Sequence, residues 1–311
     1  MVAVAPEIPD DWTSQLRPHA HVVPLTNQPA TSDADIAGVL TTLTSRVDDA
    51  MLSRFPALRV VSNMAVGVDN IDLVACRQRD IRVGNTPGVL TDATADIAMT
   101  LILCVTRRAL VATRDAREGR WGLWSPTGWL GTSLRGKRLG VVGLGKIGSE
   151  TASRAKSFGM EICYSGPSRR VDAERALEAS RLPLQELLAT ADVVSLHCPL
   201  SSETRHLIDS IALRAMKASA FLINTSRGDV VDQFALERAL NEGWIAGAGL
   251  DVTTPEPLPP AHPLYHRDDC VITPHIGSAT VETRKSMAAL ACDNLIAALE
   301  GTPMPHEIPP P

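Results

Sequence analysis

Arg138-Leu-Gly-Val-Val-Gly-Leu-Gly-Lys-Ile-Gly148 is the stretch that decides the fold. Five residues of short apolar strand run into a G-x-G-x-x-G turn, and a helical pattern without proline continues to Phe158. Each glycine has its own task in such a unit. Gly143 allows the tight turn, Gly145 lets the backbone approach a pyrophosphate, and Gly148 lets helix and strand pack closely. The helix start, with the N–H groups of Lys146 and Ile147, offers unpaired donors and a partial positive charge to an anion. Three glycines alone could form an empty turn. The strand before them and the helix after them are what mark a dinucleotide phosphate loop.

Outward from this loop the same alternation repeats. Downstream, strand patterns recur at residues 161–164, 192–196, 220–224, 248–250 and 270–273, with helical patterns between them. In one of these, Asp232 can cap a helix that places Leu236, Ala239 and Leu240 on one face, and Gly243 can end it. Upstream, residues 38–43, 59–64 and 81–84 are strand candidates, and residues 91–114, free of Gly and Pro, read as one long helix. Short apolar strands alternating with helices imply parallel sheets covered on both faces. The expected fold is therefore α/β, with two Rossmann-like, doubly wound parallel-sheet domains. The last strong helix pattern, 279–300, has no strand after it and is expected to cross back to the first domain. That makes the flavodoxin-like substrate domain discontinuous (1–98 with 280–311) around a dinucleotide-binding domain (99–279). The tail 309–311 is expected to be disordered.

Composition bounds the function. The chain has 311 residues, enough for two domains, and a net charge of −5, which argues against a nucleic-acid or anionic-membrane binder. Residues 1–10 show no basic segment leading into an apolar run, and the most apolar stretch, 95–105, is too short to span a bilayer. Six scattered cysteines without a C-x-x-C pair suit reduced core residues and a cytosolic location. No metal site is expected. His262 and His266 are four apart, but Pro263 interrupts a helix there and no third ligand accompanies them.

The end of the strand after the phosphate loop selects the cofactor. An NAD site usually places an acid there for the ribose 2′-hydroxyl. Here the segment is Tyr164-Ser-Gly-Pro-Ser-Arg-Arg170, with no carboxylate before Asp172. Ser165, Ser168, Arg169 and Arg170 would welcome a 2′-phosphate, so NADP(H) is favoured and NAD(H) remains open.

Three later segments place polar residues at strand ends, where open parallel sheets build their sites. They are Ile223-Asn-Thr-Ser-Arg-Gly-Asp229, Gly249-Leu-Asp-Val-Thr-Thr-Pro-Glu256 and Thr273-Pro-His-Ile-Gly-Ser278. With the phosphate loop they resemble the D-2-hydroxyacid dehydrogenase family, most closely its glyoxylate/hydroxypyruvate reductases. The resemblance spans residues 63–307 and is weak over the first 35 or so. The chemistry explains the residue types. Reduction of a 2-keto acid needs a cation for the carboxylate, a proton for the ketone oxygen and a hydride. Arg227 offers a planar fork, His275 can be charged near neutral pH, and Glu256 would orient that imidazole. By resemblance these are the three catalytic positions. Taken singly, each could be a surface charge, a cap or a turn residue.

The resemblance also implies supporting roles. In Met64-Ala-Val-Gly-Val-Asp69, the N–H groups of Val66 and Gly67 would hold the substrate carboxylate, and Ser278 would face substrate. Asp251 would face the nicotinamide carboxamide, and Thr94, Pro199, Thr225 and Gly277 would line the cofactor. Thr94-Ala-Asp96 departs from the commoner Val-Ala-Glu. Trp121, Trp124 and Trp129 either form a buried cluster or belong to a dimerisation arm, about 110–135, whose Trp124 lines the partner's site in a homodimer. The expected activity is NADPH-dependent reduction of glyoxylate or hydroxypyruvate to a D-2-hydroxy acid. The alternatives are an NAD-dependent dehydrogenase of another small acid (phosphoglycerate, formate or phosphite) and a cofactor-sensing, non-catalytic co-repressor-like protein.

Overall fold

A computed structural model of the chain describes residues 1–26 and 28–309. Pro310 and Pro311, where most of the expected disordered tail falls, lie outside the described residues. The chain divides into two compact units, Met1–Leu90 with Ala279–Pro311, and Thr91–Ser278.

The first unit carries β1 (Val2–Val4), β2 (Val22–Pro24), β3 (Gly38–Thr41), α1 (Asp49–Arg54), β4 (Val60–Asn63), α2 (Leu73–Gln78) and β5 (Arg82–Gly84). Its five strands are parallel in the order β2-β1-β3-β4-β5, the flavodoxin-like arrangement. β1 and β2 lie in the N-terminal stretch where the sequence reading found no strand.

The second unit runs α3 (Thr91–Thr106), α4 (Ala109–Arg117), β6 (Arg138–Val142), α5 (Lys146–Ser157), β7 (Glu161–Ser165), α6 (Val171–Leu177), β8 (Ser180–Arg181), α7 (Leu184–Thr190) and β9 (Val193–Leu196). It continues with α8 (Ser210–Ala215), β10 (Phe221–Asn224), α9 (Gln233–Asn241), β11 (Gly247–Leu250) and β12 (Cys270–Ile272). Its parallel strands are ordered β12-β11-β10-β9-β6-β7-β8. The chain therefore starts mid-sheet at β6, winds outward to β8, then returns to the other side of β6. That reversal leaves a crevice above the carboxyl ends of β6 and β9.

Side chains alternate across this sheet. Leu139, Val141, Val193, Ile223 and Val271 face one core with α3 and α5, and Val142, Val194, Leu196, Leu222 and Leu250 face the other. Each such fully buried aliphatic side chain stabilises the fold by roughly 1.5–3 kcal/mol. Asp209 and Asp232 accept first-turn N–H groups of α8 and α9, as their types predict. The last helix, α10 (Val281–Leu299), is capped by Thr280 and packs on β3, β4 and β5 of the first unit.

Two expectations differ from the structure. The first boundary falls at Leu90/Thr91 and not at 98/99, because α3 packs as a whole on α5, β10 and β11. The long helix expected over 91–114 is broken at Arg107 and Arg108, where Arg108 turns left-handed (φ 52°). The break has a local cause. Thr132 N–H takes the Thr106 carbonyl at 2.7 Å, and Gly131 lies so close to Thr106 and Arg107 that a Cβ would not fit. The returning chain thus caps α3 from outside its own sequence. Among the described residues no helix is long and apolar enough to cross a membrane, and the six cysteines are unpaired.

Candidate active site

The phosphate loop has the geometry its glycines predict. Gly143 is left-handed (φ 94°), and a Cβ there would meet the backbone of Cys198 at 2.8 Å, just past β9. The close approach of β6 and β9 at the switch point therefore requires glycine. A Cβ on Gly148 would overlap the Gly143 carbonyl and stand 3.0 Å from Val141 Cγ1, so the start of α5 sits hard against β6. Gly145 is different: a Cβ there meets nothing within 4 Å. It has no packing reason to be glycine, and it stands at the N-cap of α5, where the first-turn N–H groups of Lys146, Ile147 and Gly148 lack helical partners. Thr225, just past β10, has a buried Oγ1 with no hydrogen-bond partner. An open cradle at a positive helix end and an orphaned buried hydroxyl together fit a dinucleotide.

The catalytic candidates come together in the same unit. Arg227 sits in the turn after β10. That turn is shaped by the buried Asn224, whose Nδ2 donates to the Arg227 carbonyl at 2.8 Å and whose Oδ1 accepts from Ser226 N–H and Oγ–H at 3.0 and 2.8 Å. Gly228 then packs flush on the backbone of Thr253, with Thr254 Oγ1 2.5 Å from where a Cβ would stand. This contact seats the arginine turn on the loop that carries Glu256. Glu256 Oε1 and His275 Nδ1 are hydrogen-bonded to each other. Burial works to raise the Glu256 carboxyl, but the hydrogen bond and charge of His275, the Thr253 N–H and the charge of Arg227 bring it below the ordinary value.

His275 is held in an unusual backbone state. It is left-handed (φ 52°), which costs a non-glycine residue energy and persists only when neighbours enforce it. The enforcing group is Asp251, 2% exposed at the end of β11. Its Oδ1 accepts from Thr273 Oγ1 at 2.6 Å and from Ile276 N–H at 2.8 Å, its Oδ2 accepts from Gly277 N–H at 2.7 Å, and its carbonyl accepts from His275 N–H at 2.9 Å. Burial raises the Asp251 carboxyl, opposed by the donors from Thr273, Ile276 and Gly277. The same Asp251 Oδ2 and the Thr94 side chain leave no room for a Cβ at Gly277 without displacement, being 3.1 and 3.3 Å from it. Asp96 holds Arg154 of α5 at 2.7 Å and so ties α3 to α5.

Other expected positions stand as follows. Pro199 is exposed beyond β9, its carbonyl accepting from Thr204 Oγ1, and Ser278 closes the second unit half-buried. Ser165 is half-buried, Ser168 and Arg170 are exposed, and Arg169 is paired with Glu174. In the first unit, Thr86 N–H, Asn85 Nδ2 and Asn63 Nδ2 bind the carbonyls of Ala65, Val66 and Gly67 at 2.9, 2.8 and 2.9 Å. In a planar trans peptide the N–H opposes its carbonyl, so the N–H groups of Val66 and Gly67 point away from these anchors. The tryptophans do not form a buried cluster. Trp121 is 73% and Trp124 85% exposed, with Leu123 and Leu130 beside them also exposed, and Trp129 is tethered to Asp115 at 2.8 Å. His262 faces Glu237 at 3.2 Å.

Sequence reasoning missed the residues that hold these side chains in place: Asn63, Asn85, Asn224 and Glu174. The asparagines carried a signal. Asn is disfavoured in strands, so one at a strand end among apolar neighbours implies that its amide is busy.

A seven-stranded doubly wound sheet, an open phosphate cradle and an acid-paired imidazole in the same unit as an arginine fit an NAD(P)-dependent oxidoreductase acting on a CH–OH group, the class its relatives establish. Comparison with known proteins identifies the family. The family profile described as D-isomer specific 2-hydroxyacid dehydrogenase, NAD binding domain, matches residues 99–277. The chain is 48% identical over 277 residues to a glyoxylate reductase of Korarchaeum cryptofilum, covering 89% of this chain and 82% of that protein. It superposes on an NADPH-dependent glyoxylate/hydroxypyruvate reductase of Sinorhizobium meliloti in complex with NADP and malonate, with a TM-score of 0.89 and 31% identity, covering 99% and 96% of the two chains. A D-lactate dehydrogenase of Aquifex aeolicus complexed with NAD and lactic acid gives a TM-score of 0.89 at 26% identity, covering 97% and 96%. The chain belongs to the D-isomer specific 2-hydroxyacid dehydrogenase family.

Proposed function

We propose that this chain reduces small 2-keto acids, glyoxylate and hydroxypyruvate foremost, to D-2-hydroxy acids with NADPH. The observation that carries the reading is the Glu256–His275 hydrogen bond, with the Arg227 turn seated through Gly228 on the loop that bears Glu256. A bound reduced nicotinamide supplies the hydride, and the remaining work falls to side chains. The Arg227 fork takes the substrate's carboxylate and polarises its ketone. His275, with Nδ1 turned to Glu256, presents Nε2 to the ketone oxygen and gives it a proton, while the carboxylate steadies the imidazolium until that proton leaves. The substrate class is supported by the relatives that act on glyoxylate and hydroxypyruvate.

Two finer points belong to the same reading. The cationic loop after β7 supports NADPH over NADH. The exposed Trp121, Leu123, Trp124 and Leu130 support a homodimer in which this arm is covered by a second copy and Trp124 reaches the partner's site. Six unpaired cysteines fit a reducing compartment such as the cytosol.

The test is oxidation of NADPH and of NADH against glyoxylate, hydroxypyruvate, pyruvate and 2-oxoglutarate, with sedimentation in parallel. Turnover of the first two acids, faster with NADPH, is expected from a dimer. Equal efficiency with both dinucleotides removes the cofactor preference, inactivity on all four acids removes the substrate class, and an active monomer removes the role of the arm.

A further inference from the structure

The loop after β7 is wired differently from its sequence. Glu174, on α6, folds back to it: Tyr164 OH donates to Glu174 Oε1 at 2.5 Å, and Arg169 pairs with Glu174 Oε2 at 2.9 Å. Arg169 is therefore neutralised in part. Arg170 donates its backbone N–H to the Tyr164 oxygen at 2.9 Å, and its exposed guanidinium has no partner among the described residues.

A third arginine completes the group. Arg181 lies on β8, directly across from Tyr164 in the parallel register. Its Nη2 donates to the carbonyls of Gly166 and Pro167 at 2.9 and 3.3 Å, so it grips the middle of the loop. One terminal nitrogen is used for that grip, and the other N–H groups of the fork, without a partner among the described residues, remain for an anion. A Cβ at Gly166 would meet nothing within 4 Å, so the loop is open at this point. Of the three arginines that this loop carries or contacts, only Arg169 is paired with Glu174, and Arg181 is held on the loop's own carbonyls.

We propose that Arg181 is a specificity-determining residue: braced on the Gly166 and Pro167 carbonyls, its guanidinium takes the 2′-phosphate of the dinucleotide together with Arg170, while Arg169 serves the loop through Glu174. This rests on the NADPH reading above. Bracing fixes the fork before binding, so less freedom is lost when the phosphate arrives.

The experiment uses the full chain and calorimetric titration with adenosine 2′,5′-bisphosphate and with 5′-AMP, which differ only in the 2′-phosphate. Wild type is expected to bind the bisphosphate more tightly. Arg181→Gln should weaken bisphosphate binding about tenfold or more, the scale of one charged hydrogen-bonded contact, and leave 5′-AMP within twofold. Arg181→Lys, which keeps the charge and loses the fork, should fall between, and it serves as the second variant if the glutamine protein does not fold. Arg169→Gln should change discrimination least. Undiminished discrimination in both Arg181 variants overturns the proposal. An equal loss for both ligands also overturns it, since Arg181 would then only shape the loop. Equal binding of both ligands by wild type sinks the NADPH preference itself, a failure separate from that of Arg181.

Discussion

Alanine at Gly228 is the perturbation with the sharpest structural consequence. The added methyl would stand 2.5 Å from Thr254 Oγ1 and closer still to the Thr253 backbone. A backbone carbonyl cannot rotate away as a side chain can, so the two loops must part by something on the order of 1 Å to restore a normal contact near 3.5 Å. Overpacking of this kind costs roughly 1–3 kcal/mol. For a domain of this size that lowers Tm by about 2–12 °C. The larger effect falls on turnover. Gly228 follows Arg227 directly, and Thr253 lies three residues before Glu256, so the separation displaces the guanidinium from the acid–imidazole pair. A misplacement of about 1 Å costs on the order of a hundredfold in rate. The phosphate cradle lies elsewhere and should keep its affinity. The assay measures kcat and KM for glyoxylate, the NADPH dissociation constant by fluorescence, and Tm. A G228A protein with unchanged kcat and Tm would refute the claim that this contact sets the catalytic geometry.

Gly145→Ala is the complementary case: no atom of the chain opposes the methyl, so Tm should stay within about 1 °C while dinucleotide affinity falls tenfold or more, since the backbone must approach the pyrophosphate there; unchanged affinity in a binding titration would contradict it. His197 gives a pH prediction. Burial drives its imidazole down to about 4, with Nε2 bonded to Ser195 Oγ at 2.8 Å and Nδ1 enclosed without a partner. The unfolded state takes up the proton first as pH falls, so stability is full above about 6.5 and declines toward 4, by up to about 3 kcal/mol at the lower end. His197→Gln should flatten the Tm-against-pH curve in that window. An unchanged slope would place the acid sensitivity elsewhere. Asp251→Asn replaces an acceptor of three donors with an amide that repels one of them. Faster amide exchange at Ile276 and Gly277 and a kcat loss of tenfold or more are expected, and retained protection at both amides would show that the loop holds without the carboxylate.

The alternating architecture and the pocket-forming strand ends could be read from the sequence because their signals are local. A strand, three spaced glycines and a helix pattern occupy twenty residues, and Arg227, Glu256 and His275 each fall within a few residues of a strand end. What stayed hidden depends on distant partners. The break at Arg108 is made by Gly131 and Thr132, more than twenty residues on, and nothing between 91 and 114 announces it. β1 and β2 are three residues each, too short for a period of two to show. Arg181 was invisible as a loop ligand because only the pairing of β7 with β8 brings it to Gly166. Asp251 stood out in the sequence as a candidate, but its grip on the His275 loop depends on a turn whose shape follows from that grip.

His275 is the group proposed to protonate the ketone, and His275→Asn tests this most directly. Single-turnover oxidation of bound NADPH by saturating glyoxylate should slow by about 10²–10⁴ relative to the parent, with NADPH affinity and Tm unchanged. A variant that folds, binds NADPH and turns over within threefold of the parent would show that the proton comes from elsewhere.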